Sequence, residues 1–254
     1  MATGSASVKS GMVLGVATIV FAIAFNIPFA ILSSIFDYPA VLRRPAGEIL
    51  TLFDAGGAPL ILTWHAFALA ALLLVPLAVA LSLRADRVVR YPALAVGAAI
   101  AGSLAGFAQA IGLWRWVFVV PGLADAYVDP AATEAAKSSA ASTFNLINLY
   151  GGVAVGEHIG QLLTALFVLL LSLMLLRERN RITALIGFVA VAAIAVGTGE
   201  GLAIALGGSG EIFGLVTLIG FVLLTVWLIA AGIVALRGST AGGVDPARAR
   251  TQRA

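Results

Sequence analysis

Six long hydrophobic stretches follow one another along the chain, and polar residues collect between them. Each stretch holds eighteen or more residues with very few charges. A bilayer core of about 30 Å needs roughly 20 helical residues to cross it, so the pattern predicts membrane-spanning helices. Strands of a membrane barrel would alternate apolar and polar side chains, and these stretches do not. The predicted spans are residues 11–36, 59–83, 93–120, 156–176, 182–206 and 213–236.

The composition indicates a lipid environment for the whole chain. Of the 254 residues, 61% are hydrophobic and 11% are charged, and the mean hydropathy is +1.07. Such a chain has too little polar surface to cover a water-soluble globule. The absence of cysteine excludes disulfides, thiolate metal sites and iron–sulfur clusters. We therefore predict an all-α polytopic membrane protein, with residues 1–236 forming one six-helix transmembrane domain.

The charges between the spans predict how the protein is oriented. Loops 84–90 and 177–181 each carry three arginines and one acid, and the tail from Arg237 carries four arginines and one acid. These segments share one side of a six-span protein, whereas the three opposite loops are acidic on balance. The positive-inside rule then places both termini in the cytoplasm. Because the basic residues fall in short loops, the net charge of +3 indicates orientation and not a nucleic-acid partner.

Two of the predicted outer loops are long enough to form short interfacial helices on the membrane surface. Residues 45–57 suit one such helix. In the other loop, Asp129 suits an N-cap, Pro130 the first helical position and Gly151 the end of the helix. The tail at residues 237–254 is small, polar and basic, and we expect it to be disordered and cytoplasmic.

Glycines recur four residues apart within the spans, a spacing that places them on one helix face. Small residues at this spacing let helix backbones approach closely, which is how membrane helices associate without a hydrophobic driving force. Packing alone explains them. The sets are Gly102 with Gly106, Gly197 with Gly201, and Gly152 with Gly156 and Gly160.

Ionisable and amide side chains within the spans are the candidate chemistry. The sequence GEHIGQ at residues 156–161 opens the fourth span beside its glycine face, and the second and fifth spans place a histidine and a glutamate about 9 Å below the predicted outer boundary. Such residues either mark a hydrated interface or serve function. The candidate polar pocket consists of His65, Glu157, His158, Gln161 and Glu200.

Three further polar residues lie within the spans as secondary candidates. Asn26 lies mid-membrane before Pro28, where it can bond across helices or accompany a structural kink. Gln109 shares the glycine face of the third span. Arg115 lies away from that face, between two tryptophans near the outer boundary, so we expect it to snorkel into an aromatic belt.

The two histidines of the chain raise a cofactor question, because both are predicted to be intramembrane. His65 and His158 can ligate haem between them, or hold a divalent metal together with Glu157 or Glu200. Their spacing requires neither, and histidines used for packing are the alternative, so no cofactor is predicted. The sequence has no nucleophile elbow, phosphate loop, HExxH or paired catalytic carboxylates, which favours a protein that is not an enzyme.

Two segments and the six-span layout resemble a known family. FDYPAVLRRPAGEIL follows the first span, and NLINLYGGVAVGEHIGQ leads into the fourth. Together they are similar to the bacterial membrane family catalogued as domain of unknown function 4386, over roughly residues 11–236. The resemblance implies an integral protein of the bacterial cytoplasmic membrane, and it brings no established activity, substrate or catalytic residues.

The leading functional hypothesis is the handling of a small solute or ion in an outward-facing pocket whose carboxylates titrate or bind a cation. The inner halves of the spans are poor in polar residues, which counts against a complete pathway. One alternative is a non-transporting membrane subunit that contacts a membrane partner or a second copy through its glycine faces or its outer helices. A third is a haem or metal protein. In every case the lipid bilayer is a partner of the chain.

Overall fold

The computed structural model describes residues 2–241, with side chains described for residues 11–237. Within residues 2–241 the chain is helical and contains no strand. A 3-10 turn at Ala40–Arg43 follows the first helix, and a π-helical segment at Asn148–Ile159 precedes α8. The α-helices are α1 (Ala2–Ile35), α2 (Ala46–Leu72), α3 (Leu74–Ser82), α4 (Ala85–Arg90), α5 (Pro92–Phe118), α6 (Val120–Val128), α7 (Glu134–Ile147), α8 (Gly160–Arg177), α9 (Arg181–Gly197), α10 (Gly199–Ala205) and α11 (Glu211–Ala241).

Six helical stretches are long and apolar enough to cross a membrane, which confirms the predicted six-span all-α membrane protein. Several are longer than predicted because outer helices continue into the spans without a loop. The cytoplasmic location of both termini and the interfacial position of the outer helices stay predictions. The spans are Gly11–Ile35, Ala46–Ser82, Pro92–Val128, Glu134–Arg177, Arg181–Ala205 and Glu211–Arg237.

Consecutive spans are neighbours around the whole bundle. α1 packs on α2, α2 on α5, α5 on α8, α8 on α9 and α9 on α11, and α11 returns to pack on α1. The six spans therefore form a closed ring in chain order. The side of the ring that carries the α1–α2 and α10–α11 connections is called the outer side below.

Close backbone approaches hold the ring together, as the glycine spacing predicts. A Cβ atom on Gly106 would lie 2.8 Å from the carbonyl oxygen of Ala71, and one on Gly112 would lie 2.7 Å from the Cα atom of Gly156. Real Cβ atoms do not come so near backbone atoms, so neither position accepts a side chain without moving a helix. Glycine thus sets the distance between α5 and its neighbours on both sides.

The helix before the fourth span begins and ends elsewhere than predicted. Its N-cap is Thr133, whose hydroxyl accepts a 3.2 Å hydrogen bond from the Ala136 amide. Asp129 instead accepts a bond from the Ala131 amide in a turn, at 2.8 Å. Gly151 does not end the helix, because it lacks the positive φ of a glycine stop, and the chain runs through the π-helical segment into α8.

The other predicted outer helix is present and also joins its span. α2 begins at Ala46, and Gly57 interrupts it with φ 52° and ψ −151°, a conformation that glycine adopts readily. The chain before Gly57 is therefore a short helix set at an angle to the rest of α2. At the other end of the protein α11 extends to Ala241, so residues 237–241 of the tail predicted to be disordered are helical. The rest of that tail, residues 242–254, lies outside the described residues.

The outer half of the ring has an aromatic core, which supports the site described below. The indoles of Trp64 in α2 and Trp116 in α5 stack with their centroids 4.8 Å apart and their planes 9° apart. Phe36 meets both rings edge-on, and Phe53 stacks on Trp116. Trp64 and Trp116 are fully buried. The aromatic side chains in this outer half of the ring hold α1, α2 and α5 in fixed positions.

A buried ion pair ties two connections on the inner side. Arg87 in α4 binds both carboxylate oxygens of Glu178 after α8, at 2.7 and 2.8 Å, and donates to the Leu81 carbonyl at 2.6 Å. Arg87 is 3% exposed. The two loops that the sequence predicts as cytoplasmic are thereby joined through one guanidinium.

Candidate functional site

The ring contains a partly open cavity of about 430 Å³ that is lined from all six spans. Its lining reaches from Glu211 at the start of α11 to Leu228, 17 residues further along the helix, or about 25 Å. The cavity therefore extends from the outer side past the middle of the bundle. Charged residues line its outer end, and Phe21, Ala22, Leu74, Phe167, Leu224 and Leu228 line its inner part.

Two of the predicted carboxylates meet at the outer end through an arginine. Arg43, the last residue of the 3-10 turn, donates to Glu157 at 2.8 Å and to Glu200 at 3.0 Å. Glu157 lies in the π-helical segment, and Glu200 lies in the first turn of α10. One guanidinium thus links the α1–α2 connection to the fourth and fifth spans. We call this group the Arg43 bridge.

The charges of the Arg43 bridge act on the groups around it. Burial lowers the pKa of Arg43, but Glu157 and Glu200 raise it by more, so the pKa of its guanidinium lies above the ordinary value. Burial, followed by the charge of Glu157, raises the pKa of the neighbouring Tyr38 hydroxyl. The Tyr38 ring packs edge-on against Trp64, with centroids 5.2 Å apart. At neutral pH the Arg43 guanidinium is charged and the Tyr38 hydroxyl is not.

Glycines allow the helices to close around the Glu200 carboxylate. A Cβ atom on Gly214 in α11 would lie 3.2 Å from an oxygen of Glu200, and one on Gly210 would lie 2.9 Å from its Cγ atom. Gly210 also has a positive φ of 71°. The start of α11 can therefore lie directly against the carboxylate, which places Glu200 between α11 and Arg43.

Arg115 is buried, and the prediction that it snorkels into an aromatic belt is wrong. It is 7% exposed, donates to Asn148 at 3.0 Å, also donates to the Gly112 carbonyl, and lies over the Trp116 ring. A Cβ atom on Gly152 would lie 2.6 Å from the guanidinium carbon. The reason is that the side of α5 that carries Arg115 packs against the π-helical segment, so the guanidinium meets that segment and not lipid.

The amides within the spans also lie at the cavity. Gln161 is buried and lines it. Gln109 lines it as well and donates to the Thr164 hydroxyl at 2.8 Å. Asn26 donates to the Thr225 hydroxyl of α11 at 3.1 Å and to the Ala22 carbonyl at 2.7 Å, which is the bond across helices that its position predicts.

The two histidines have separate partners and do not line the cavity. His65 Nδ1 accepts a 3.3 Å hydrogen bond from the indole of Trp114 in α5. His158 Nδ1 lies 3.0 Å from the Thr198 carbonyl, which only accepts, so this nitrogen carries the proton. Among the described residues no three His, Cys, Asp or Glu side chains form a group suited to a metal ion. That the protein holds no cofactor stays a prediction, with haem or metal ligation by these histidines as its alternative.

The candidate pocket thus divides into two parts. Glu157, Gln161 and Glu200 come together at the cavity, where they are joined by Asn26, Gln109 and Arg115. His65 and His158 lie outside its lining. Sequence reasoning missed Arg43, which it counted only as a loop charge. An arginine pair in a loop predicted to be external was the indication, since arginine concentrates in cytoplasmic loops.

Comparison with protein families agrees with this architecture. The family model described as domain of unknown function (DUF4386) matches residues 13–232, which reach into all six spans and include the whole cavity lining. Comparisons with curated proteins and with solved structures give no match. The chain is therefore a multi-pass membrane protein that belongs to the family described as domain of unknown function (DUF4386).

Proposed function

We propose that the protein binds a small amphipathic molecule in the cavity enclosed by its six spans. One observation carries the proposal, namely that a single cavity has a charged outer end and an apolar inner part. A volume of about 430 Å³ lies within the range of pockets that take small molecules, roughly 300 to 1,000 Å³. An amphipathic ligand would place its polar group among the charged residues and its apolar part among the phenylalanines and leucines.

The Arg43 bridge favours an organic solute over a free cation. In the leading hypothesis from the sequence, the carboxylates bind a cation. However, Nη2 of Arg43 already lies 2.8 Å from an oxygen of Glu157 and 2.9 Å from an oxygen of Glu200. A metal ion would have to displace a guanidinium that contacts both carboxylates. The fixed positive charge of Arg43 is thus the cation that these residues hold.

The inner lining supports binding over conduction. Ala22, Leu74, Leu224 and Leu228 offer no polar group to an ion that moves inward. A hydrated ion in such surroundings loses several kcal/mol of solvation. A ligand would therefore enter and leave on the outer side or from the lipid, and uptake through the protein would require the ring to rearrange.

The proposal includes a location in the bacterial cytoplasmic membrane with both termini inside. The arginine-rich loops on the inner side support this orientation through the positive-inside rule. With it, the charged end of the cavity faces the outer leaflet.

Quenching of tryptophan fluorescence tests the binding, because Trp64 and Trp116 line the cavity. Trp114→Phe and Trp227→Phe remove the other two tryptophans, and the Trp227 indole makes no hydrogen bond within the described residues. The purified double variant in nanodiscs is titrated with bromoundecanol, whose bromine quenches a nearby indole. Saturable quenching is expected.

A matched pair of substitutions in α1 separates binding in the cavity from binding in lipid. Ala22→Leu fills part of the cavity, whereas Ala30→Leu makes the same change at an exposed position outside its lining. Ala22→Leu is expected to weaken binding at least tenfold and Ala30→Leu to leave it unchanged. Quenching that does not saturate, or that is equal in both variants, would refute the proposal. Ala71→Leu, also in the lining, repeats the test if Ala22→Leu does not fold.

A further inference from the structure

Three buried N–H donors at the cavity lack an acceptor. Within the described residues, Trp64 Nε1, Trp116 Nε1 and Arg115 Nε have no hydrogen-bond partner. All three residues line the cavity, and the two indoles stack on each other while the guanidinium lies over Trp116. Buried donors normally find acceptors, and leaving one unpaired costs about 1–3 kcal/mol. At the cavity, hydrogen-bond donors therefore outnumber the acceptors available to them.

The charge of Arg115 is also unpaired. Its bonds go to the Asn148 amide oxygen and the Gly112 carbonyl, which are neutral. No carboxylate in the described part of the chain forms a salt bridge with it, since Glu157 and Glu200 are both bound to Arg43. Buried arginines are ordinarily paired with an anion, because an isolated buried charge is costly. Arg115 thus holds a buried positive charge whose direct hydrogen-bond partners within the described residues are neutral.

The structure rigidly positions this arginine. Gly152 lies so close that any side chain there would displace the guanidinium. Asn148 fixes one amino group of the guanidinium, and Trp116 covers its face. A charged side chain held in this way pays little further entropy when it binds a ligand.

We infer that the amphipathic ligand is an organic anion, with a carboxylate or phosphate head group bound by Arg115 and an apolar tail in the inner part of the cavity. The inference rests on the function proposed above and names the chemical class of the ligand. A carboxylate or phosphate offers acceptors only, which is the complement of a site that lacks acceptors. The inner lining of Phe25, Phe67 and Phe167 suits an alkyl or aromatic tail.

The other charges at the outer end leave Arg115 without a carboxylate of its own. Arg43 offsets one of the two negative charges of Glu157 and Glu200 and is bound to both, and Glu211 is exposed at the mouth. A cationic head group would meet Arg115 without an intervening carboxylate. An uncharged head group would supply an acceptor to the donors but would leave the guanidinium without a counter-charge.

Probes that share one chain and differ in head group test the inference. The double variant Trp114→Phe, Trp227→Phe, which keeps Trp64 and Trp116, is titrated at mildly alkaline pH with four probes. They are bromoundecanoic acid, bromoundecanol, a bromoundecyl trimethylammonium salt and bromoundecyl phosphate. The acid or the phosphate is expected to bind at least tenfold more tightly than the alcohol. The tighter of the two anions distinguishes a fatty-acid-like ligand from one with a lipid-like phosphate.

Substitution of the arginine assigns the preference to a residue. Arg115→Gln is expected to remove the preference for the anion, so that the acid and the alcohol bind the variant with affinities within about threefold of each other. Arg44→Gln, in the loop but outside the cavity lining, is the matched control and is expected to keep the preference. If Arg115→Gln does not fold, comparing the affinities of the acid and the alcohol for the parent protein still decides whether the cavity prefers an anionic head group.

The outcomes separate this inference from the proposed function. If acid and alcohol bind saturably with equal affinity and Ala22→Leu weakens both, the cavity binds amphipathic molecules as proposed, but the inference of an anionic head group is refuted. A preference for the ammonium salt would also refute the inference of an anionic head group. Absence of saturable binding by every probe would overturn both.

Discussion

Removing the guanidinium of the Arg43 bridge should destabilise the protein more than removing the arginine beside it. Arg43→Gln deletes charge-assisted hydrogen bonds to Glu157 at 2.8 Å and Glu200 at 3.0 Å. It also leaves two carboxylates close together without a counter-charge. Arg44→Gln deletes one contact with Asp37, whose side chain is 57% exposed.

The exposure of the side chains sets the magnitude. Hydrogen bonds to charged groups contribute about 1.5–3 kcal/mol each, and breaking a fully buried ion pair costs about 3–5 kcal/mol. The side chains of Arg43, Glu157 and Glu200 are 29%, 25% and 17% exposed, so solvent screens part of their interaction. We expect a loss of about 2 kcal/mol for Arg43→Gln and at most about 0.5 kcal/mol for Arg44→Gln.

The assay is unfolding of the purified protein in mixed micelles with increasing sodium dodecyl sulfate, followed by tryptophan fluorescence. The triple variant Arg43→Gln, Glu157→Gln, Glu200→Gln serves as a further control. It should recover most of the lost stability, because it removes the uncompensated charges together with the guanidinium. Equal small losses for Arg43→Gln and Arg44→Gln, with no recovery in the triple variant, would show that the bridge does not stabilise the fold.

Three further predictions concern other parts of the ring. Arg87→Gln should lower the free energy of unfolding by about 3–5 kcal/mol in the same assay, because it breaks a buried ion pair. Arg84→Gln should lower it by less than about 1 kcal/mol, and equal losses for the two variants would contradict this prediction. Gly106→Ala should cost about 1–3 kcal/mol because its Cβ would meet the Ala71 carbonyl, and Gly122→Ala, which has open space, should be tolerated. The raised pKa of Tyr38 means that the unfolded phenol ionises first, so stability should fall as pH rises above about 10. Tyr38→Phe should reduce that fall, and an unchanged pH profile would refute the assignment.

The six spans could be predicted from the sequence because hydropathy is a local property that needs no tertiary information. The glycine positions were equally readable, since four-residue spacing defines a face on any helix. Span limits were less accurate. Gly57 and Gly151 both looked like helix ends, but only Gly57 adopts a positive φ, and conformation at a glycine depends on what the flanking chain packs against.

The candidate site was only partly predictable, because it depends on which helices become neighbours. Glu157 and Glu200 were found as intramembrane charges, but the residue that joins them, Arg43, lies in a loop whose path the sequence does not encode locally. Arg115 was assigned to the wrong surroundings for the same reason. Its helix packs against α2, α8 and the π-helical segment, and the sequence of α5 alone does not show which of its faces meets these neighbours and which meets lipid.

An experimental structure with bound bromoundecanoic acid tests the central claim most directly, because the anomalous scattering of bromine locates the ligand without assumptions. The account predicts one strong bromine peak in the inner part of the cavity near Phe167, with the carboxylate at Arg115. Bromine peaks found only on the lipid-facing surface of the ring, with Arg115 still bonded to neutral groups alone, would contradict it.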